Sequence, residues 1–306
     1  MSARARPLAR ANPAVGVIGA GRVGAVLAAA LAAAGYPISA VSGSSPASRD
    51  RIRRLLPAVP RRPAAEVAAA AEVLIVAVPD DALPMVVAEL VAAGAIRPDQ
   101  VVTHISGAHG LAVLAPAARA GAATLALHPA MTFTGDAADL DRLPGTSYGV
   151  TAAAHLRPLA TRLVGALGGA VEWVAETDRP LYHAALAHGA NHLVTLVNEA
   201  TDRLRDAGVD DPVRVLAPLL HAALDNALAR GDAALTGPVS RGDAGTVARH
   251  LDRLARTAPE SLPSYLALAR RTADRAIAAG RLTAAEAVPL LDVLASVTAP
   301  AREPVR

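Results

Sequence analysis

No cysteine and no lysine occur in the 306 residues. The first absence excludes disulfides, a thiolate nucleophile and cysteine-ligated metals, and it fits a cytoplasmic setting. The second excludes Schiff-base chemistry and a lysine general acid, since all 30 basic side chains are arginine. Aromatic residues are also scarce, at 2% against 53% hydrophobic, so the core must be assembled from Ala, Leu and Val. No dense basic block interleaved with aromatics appears. The formal charge is only +3, with arginines interspersed among acids, so nucleic acid is not an expected partner. An uninterrupted membrane-length run is lacking as well. Arg4, Arg6 and Arg10 precede an apolar stretch and so mimic a secretory signal, but Arg22 and three glycines break it. It is too short and Ala-rich to span a bilayer, and residues 1–11 are expected to form a loose basic tail.

That stretch, VGVIGAGRVGAVLAAALAAAG from Val15 to Gly35, organises the chain. Its β-branched start suits a buried strand and its Ala/Leu run a helix, ended by Gly35 with Pro37 just beyond. Between them Gly19, Gly21 and Gly24 stand at G-x-G-x-x-G spacing. The first glycine permits a tight turn, the second lets a pyrophosphate reach the backbone, and the third lets helix and strand pack closely. The helix N-terminus then offers free N–H groups to phosphates. Gly19, Ala20, Gly21, Arg22, Val23 and Gly24 are therefore candidate cofactor residues.

A second strand is expected at Ile38–Val41. Its end reads Ser42-Gly43-Ser44-Ser45, with Arg49 soon after and no acid before Asp50. An acid there would accept the free 2′-hydroxyl of NAD, whereas small hydroxyls and arginine suit a 2′-phosphate, so NADP is the expected cofactor. Glu72–Pro79 reads as a strand buried on both faces, whose end places Val78, Pro79 and Asp80 on the cofactor wall. Further strands are expected at Val101–Ile105 and Thr124–Leu127, ending in Ser106 and His128. Ligands bind outside the carboxyl ends of such strands, so the Ser106 hydroxyl and the His128 imidazole are placed to hold a substrate carbonyl and exchange its proton. Both residues equally suit turn-forming roles. Ser147–Thr151 and Ala170–Ala175 extend the sheet.

After Asp178 the pattern turns helical, with a helix of about seven turns expected from Arg179 to Ala207. The expectation is thus an α/β, mostly parallel sheet domain over 12–176, followed by an all-helical domain over 177–306. Asn191, as a buried amide facing a cleft, would need a partner such as a substrate oxygen. His188 and His192 have the spacing of two metal ligands, but no third fits, and no metal is expected. Arg241 in LTGPVSRGD can grip a carboxylate with both arms of its guanidinium, or pair with Asp243 to close a loop.

GAGRVG (19–24), VAVPDD (76–81), HISGAHG (104–110), LHPAMTF (127–133), YHAA (182–185), the Asn191 region and LTGPVSRGD (235–243) together carry a resemblance. The sequence resembles two-domain Rossmann-like proteins whose C-terminal half is a domain of unknown function, often labelled deazaflavin-dependent NADP oxidoreductase-like. More distantly it is similar to the 6-phosphogluconate, β-hydroxyacid, ketopantoate and prephenate dehydrogenases. These pair a Rossmann domain with a helical one and often dimerise through the helices. The β-hydroxyacid enzymes carry a lysine four residues before an asparagine; here Ala187 stands four before Asn191, so that mechanism does not transfer. The expected function is that of an NADP-dependent oxidoreductase acting on a small carbonyl or imine, and the resemblance implies a homodimer through the helical domain. His128 would be the proton donor, Ser106 and Asn191 would position the substrate, and Arg241 would bind an anionic group. The alternatives are a non-catalytic NADP-binding sensor or assembly protein, or a ketopantoate-type reductase without the usual lysine.

Overall fold

The computed structural model describes residues 12–297; the expected basic tail over residues 1–11 lies outside them. The chain alternates strand and helix in its first half. Its elements are β1 (Val15–Ile18), α1 (Arg22–Ala33), β2 (Ile38–Ser42), α2 (Pro46–Leu55), α3 (Ala64–Ala70), β3 (Val73–Val76), α4 (Leu83–Ala92), β4 (Val101–His104), α5 (Ala115–Arg119), β5 (Ala123–Pro129), α6 (Ala138–Arg142), β6 (Ser147–Ala152), α7 (Arg157–Ala166) and β7 (Ala170–Trp173). Helices follow: α8 (Arg179–Leu186), α9 (His192–Asp206), α10 (Pro212–Arg230), α11 (Gly237–Ser240), α12 (Ala244–Thr257), α13 (Leu262–Ala278) and α14 (Ala284–Ser296).

Among the described residues the strands form one sheet in the order β2-β1-β3-β4-β5-β6-β7. β1 to β5 run parallel, β6 is antiparallel to β5, and β7 is parallel to β6. Alternation along a strand sends successive side chains to opposite faces. On β3, Val73 and Ile75 join the core under α1 and α7, while Leu74 and Val76 join the layer under α3, α4 and α5. Burial of both faces explains why the β3 sequence is continuously apolar.

The chain divides into two compact units, one ending at Ala190 and one starting at Asn191. The expected boundary at Glu176 marks the end of the sheet instead; residues 176–190 belong with the first unit. The single long helix expected from Arg179 to Ala207 is also interrupted, by a π-helical turn over Ala187–Asn191 between α8 and α9. In the second unit Val247, Leu251, Leu262, Leu266, Ala273 and Leu290 build a separate core from α12, α13 and α14. Local capping sets its helix starts: Asp243 accepts the Thr246 N–H at 3.0 Å, and Thr283 and Glu286 form a reciprocal capping box.

Candidate active site

The glycine loop closes on itself. Gly19 has φ of +90°, and a Cβ there would lie 2.4 Å from the Ala77 carbonyl oxygen; a Cβ on Gly24 would lie 2.2 Å from the Gly19 oxygen. Both positions are held to glycine by packing. Gly21 differs, because the nearest atom to a Cβ there is the Gly19 oxygen at 3.9 Å. The space beside it is open for a ligand. The peptide N–H groups of Gly19 and Ala20 are bonded to the Ser42 carbonyl at 3.1 and 2.7 Å, and that of Gly21 to Gly19 at 2.7 Å. Gly19 and Ala20 therefore tie β1 to β2, and the N–H groups left for an anion are those of the first turn of α1, which has no acidic residue.

The carboxyl ends of the parallel strands gather the rest. Gly21, Arg22, Val23, Val78, Pro79, Asp80, Ser106 and His128 line one cavity of about 400 Å³. Sequence reasoning named all eight; it missed Ala77, Ile105, Gly107 and His183, which complete the lining. A second cavity of about 390 Å³ opens beside the end of β2, lined by Ser42, Gly43 and Ser44 together with Arg61, Arg62, Pro63 and Ala64. Ser45 is not in this lining. Its side chain caps α2, accepting the Ser48 N–H at 3.1 Å, so the structure gives it the turn role. Arg49 donates to the Ser44 carbonyl. The two arginines facing the β2 end are Arg61 and Arg62, twenty residues downstream in a proline-rich connection, and Arg61 reaches the Gly43 carbonyl at 3.4 Å. Their pairing with β2 is a single bridge, Val41 to Arg61, which no periodicity could have announced.

The segment after β7 braces the cavity. Glu176 accepts the N–H groups of Leu111 and Ala112 at 2.6 and 3.0 Å, holding the loop that follows β4. Arg179 is completely buried. Its Nη2 donates to the Ser106 carbonyl at 2.5 Å and its Nη1 to Thr151 Oγ1 at 3.1 Å, while its Nε has no partner. Burial lowers its pKa. Ser106 itself is buried, and its Oγ accepts the His109 N–H at 3.1 Å, so it forms a turn and lines the cavity at once. His104 is structural. Its Nδ1 accepts the Ser106 N–H at 3.1 Å, which leaves the proton on Nε2 to donate to the Gly110 carbonyl at 2.8 Å.

His128 has a different setting. Its Nδ1 lies 3.0 Å from the Tyr182 hydroxyl, and its ring meets that of His183 edge-on, with centroids 5.8 Å apart. Burial first, then the charges of His183 and Arg179, push its pKa down to about 4, against a small opposing pull from Asp80. At neutral pH the ring is uncharged. Tyr182 and His183 were visible in the sequence, but on a helix assigned to the other domain.

Asn191 and Arg241 belong to the second unit. Asn191 is exposed at the end of the π turn, which removes the argument that a buried amide needs a partner there. Arg241 is exposed at the end of α11, in a turn whose Asp243 caps α12. Among the described residues no group of three His, Asp or Glu side chains could hold a metal, and no helix is long and apolar enough to cross a membrane.

The fold and cavity define a Rossmann-like domain joined to a helical region. Residues 2–129 match the family described as Rossmann-like domain, and residues 146–272 match the domain of unknown function DUF2520. The two matches follow one another along the chain and between them cover most of it. Among solved structures it is similar to a Bacteroides fragilis protein provisionally described as an NADP oxidoreductase, with 20% identity and a TM-score of 0.71 over 86% of this chain and 98% of that one. A Thermotoga maritima protein gives 19% identity and a TM-score of 0.63 over 86% and 98%. The Plasmodium falciparum pyrroline carboxylate reductase, solved with NADP bound, gives 12% and 0.55 over 91% and 98%. At these identities the likeness establishes the fold. No curated protein matches the sequence.

Proposed function

We propose that this protein is an NADP-dependent oxidoreductase that reduces a small carbonyl or imine compound. The observation that carries the reading is the cavity in which Gly21 and the start of α1 lie alongside Ser106 and His128. An anion cradle and a hydrogen-bonding pair share one space there. The residues fit a dinucleotide: the opening beside Gly21 admits a pyrophosphate, and Arg22 is exposed at its rim. When bound, the nicotinamide ring would supply a hydride. Ser42, Ser44, Arg61 and Arg62 would hold the 2′-phosphate, which favours NADP over NAD. Val78, Pro79 and Asp80 would form the wall beside the ribose and nicotinamide. Ser106 would hold the substrate heteroatom.

His128 would polarise that heteroatom as a neutral hydrogen-bond donor. The expected role was that of proton donor; a ring with a pKa of about 4 carries little charge at neutral pH, which favours the neutral hydrogen-bonding role. The proton that completes reduction would then come from water. Asn191 and Arg241, being exposed on the second unit, have no assigned step.

The test is NADPH consumption with a panel of small ketones, keto acids and cyclic imines. At least one should be reduced, and His128→Ala should lower kcat by about 100-fold or more. NADPH binding with no turnover across the panel would contradict the enzyme reading and favour a non-catalytic NADP-binding protein, an alternative to which the missing lysine lends weight.

A further inference from the structure

The sequence gives no reason to connect α8 with the chemistry at the strand ends, yet its first turns reach β5 and β6. His128 on β5 pairs across the ladder with Gly149 on β6. Gly149 has no side chain where Tyr182 lies: a Cβ there would stand 2.5 Å from the tyrosine Cζ and Oη. The phenol is seated against the strand, edge-on to His128 with ring centroids 5.6 Å apart. Gly107 does the same for the other side of the imidazole. A Cβ on it would stand 3.0 Å from His128 Nε2 and 2.5 Å from His183 Cδ2, and Gly107 lines the cavity. Nδ1 is thus turned to Tyr182, and Nε2 stands over a residue whose missing side chain leaves it open to the cavity.

We propose that Tyr182 is a positioning residue: its hydroxyl donates to Nδ1 of His128 and so keeps the imidazole proton on Nε2, facing the cavity. A phenol O–H is a better donor than a neutral imidazole N–H, and an imidazole nitrogen is a better acceptor than a phenol oxygen. The 3.0 Å contact is therefore strongest in this sense. Burial raises the Tyr182 pKa, so the phenol keeps that proton through the neutral range. His104 reaches the same Nε2–H form by an independent route, through the backbone, and spends it on a carbonyl. His128 alone of the two presents it to the cavity.

The proposal deepens the oxidoreductase reading and rests on it for what the Nε2–H meets, but not for the tautomer. It is tested on the full chain without cofactor or substrate, by nitrogen NMR of 15N-histidine-labelled protein at neutral pH. His128 is assigned by the loss of its signals in His128→Gln. The wild type should show a protonated, pyrrole-like Nε2 and an unprotonated Nδ1. Tyr182→Phe, which keeps the ring but removes the donor, should shift the tautomer ratio toward Nδ1–H by about five-fold or more, one hydrogen bond's worth. A proton on Nδ1 in the wild type would overturn the proposal. So would an unchanged ratio in Tyr182→Phe with the thermal melt retained. Neither result depends on NADPH binding or turnover, so a failure here is distinct from a failure of the enzyme reading.

Discussion

At the scale of single residues, two histidines separate structure from chemistry by the fate of their second nitrogen. His104 has both ring nitrogens committed to the backbone, whereas His128 commits one and leaves the other over Gly107. Sequence position alone ranked His128 and Ser106 as candidates because both fall at strand ends. It gave no means of seeing that Tyr182, fifty-four residues later, supplies the partner. Burial lowers the pKa of both histidines from the ordinary 6.5 to about 4. Below pH 6.5 the unfolded chain takes up protons that the native state refuses. The stability these groups contribute is therefore fully present above that pH and is lost as the pH falls through about 4. For His104 the full difference is on the order of 3 kcal/mol. Urea unfolding should accordingly show a midpoint that falls steadily between about pH 7 and about pH 4. A midpoint that holds or rises over that interval would mean that the two rings are protonated in the native protein.

At the scale of elements, the β1–loop–α1 unit was legible in full. Its glycine spacing reports backbone geometry that any sequence must obey, and the structure separates the roles of the three positions. Gly24→Ala should destabilise the fold by about 1–3 kcal/mol, because its Cβ would meet the Gly19 oxygen, whereas Gly21→Ala should cost about 1 kcal/mol at most. If Gly21 borders the pyrophosphate, the same mild substitution should weaken NADPH binding by about ten-fold or more. A Gly21→Ala protein that is stable and binds normally would remove the cradle from this loop. Strands β3 and β4 were also readable, since doubly buried strands announce themselves as apolar runs; β7, mostly exposed, was readable as a strand without that signal. What could not be read is the brace formed by Glu176, Arg179, Tyr182 and His183. These residues sit on a helical pattern, and periodicity says which face is apolar without saying which strand ends that face meets. Arg61 and Arg62 escaped for a related reason, lying in a connection with no period at all.

At the scale of the molecule, the expectation that the chain holds a sheet-based unit and a helical one is met, with the division at Ala190 rather than Glu176. In the helical unit, α10 runs 19 residues with Pro212 and Leu216 as its buried members. Val213, Leu219 and Leu228 on it are 62%, 62% and 79% exposed, and Leu193, Val194 and Leu196 on α9 are also exposed. Exposed apolar side chains on both helices favour the homodimer proposed from the resemblance, with a second copy of the chain as their cover. Light scattering should give the mass of two chains, and Leu219→Arg combined with Leu228→Arg should reduce it to one. A single-chain mass for the wild type would contradict the proposal.

On the proposed reading, the cavity edge from Gly21 to His128, with the arginine-lined opening beside β2, binds NADP. Calorimetric titration of the purified protein with NADPH and with NADH tests it most directly. NADPH should bind at least about ten-fold more tightly than NADH, and Arg61→Ala with Arg62→Ala should erase most of that preference while leaving NADH binding nearly unchanged. Equal binding of the two would contradict the 2′-phosphate site, and binding of neither would contradict the cofactor and the oxidoreductase reading together.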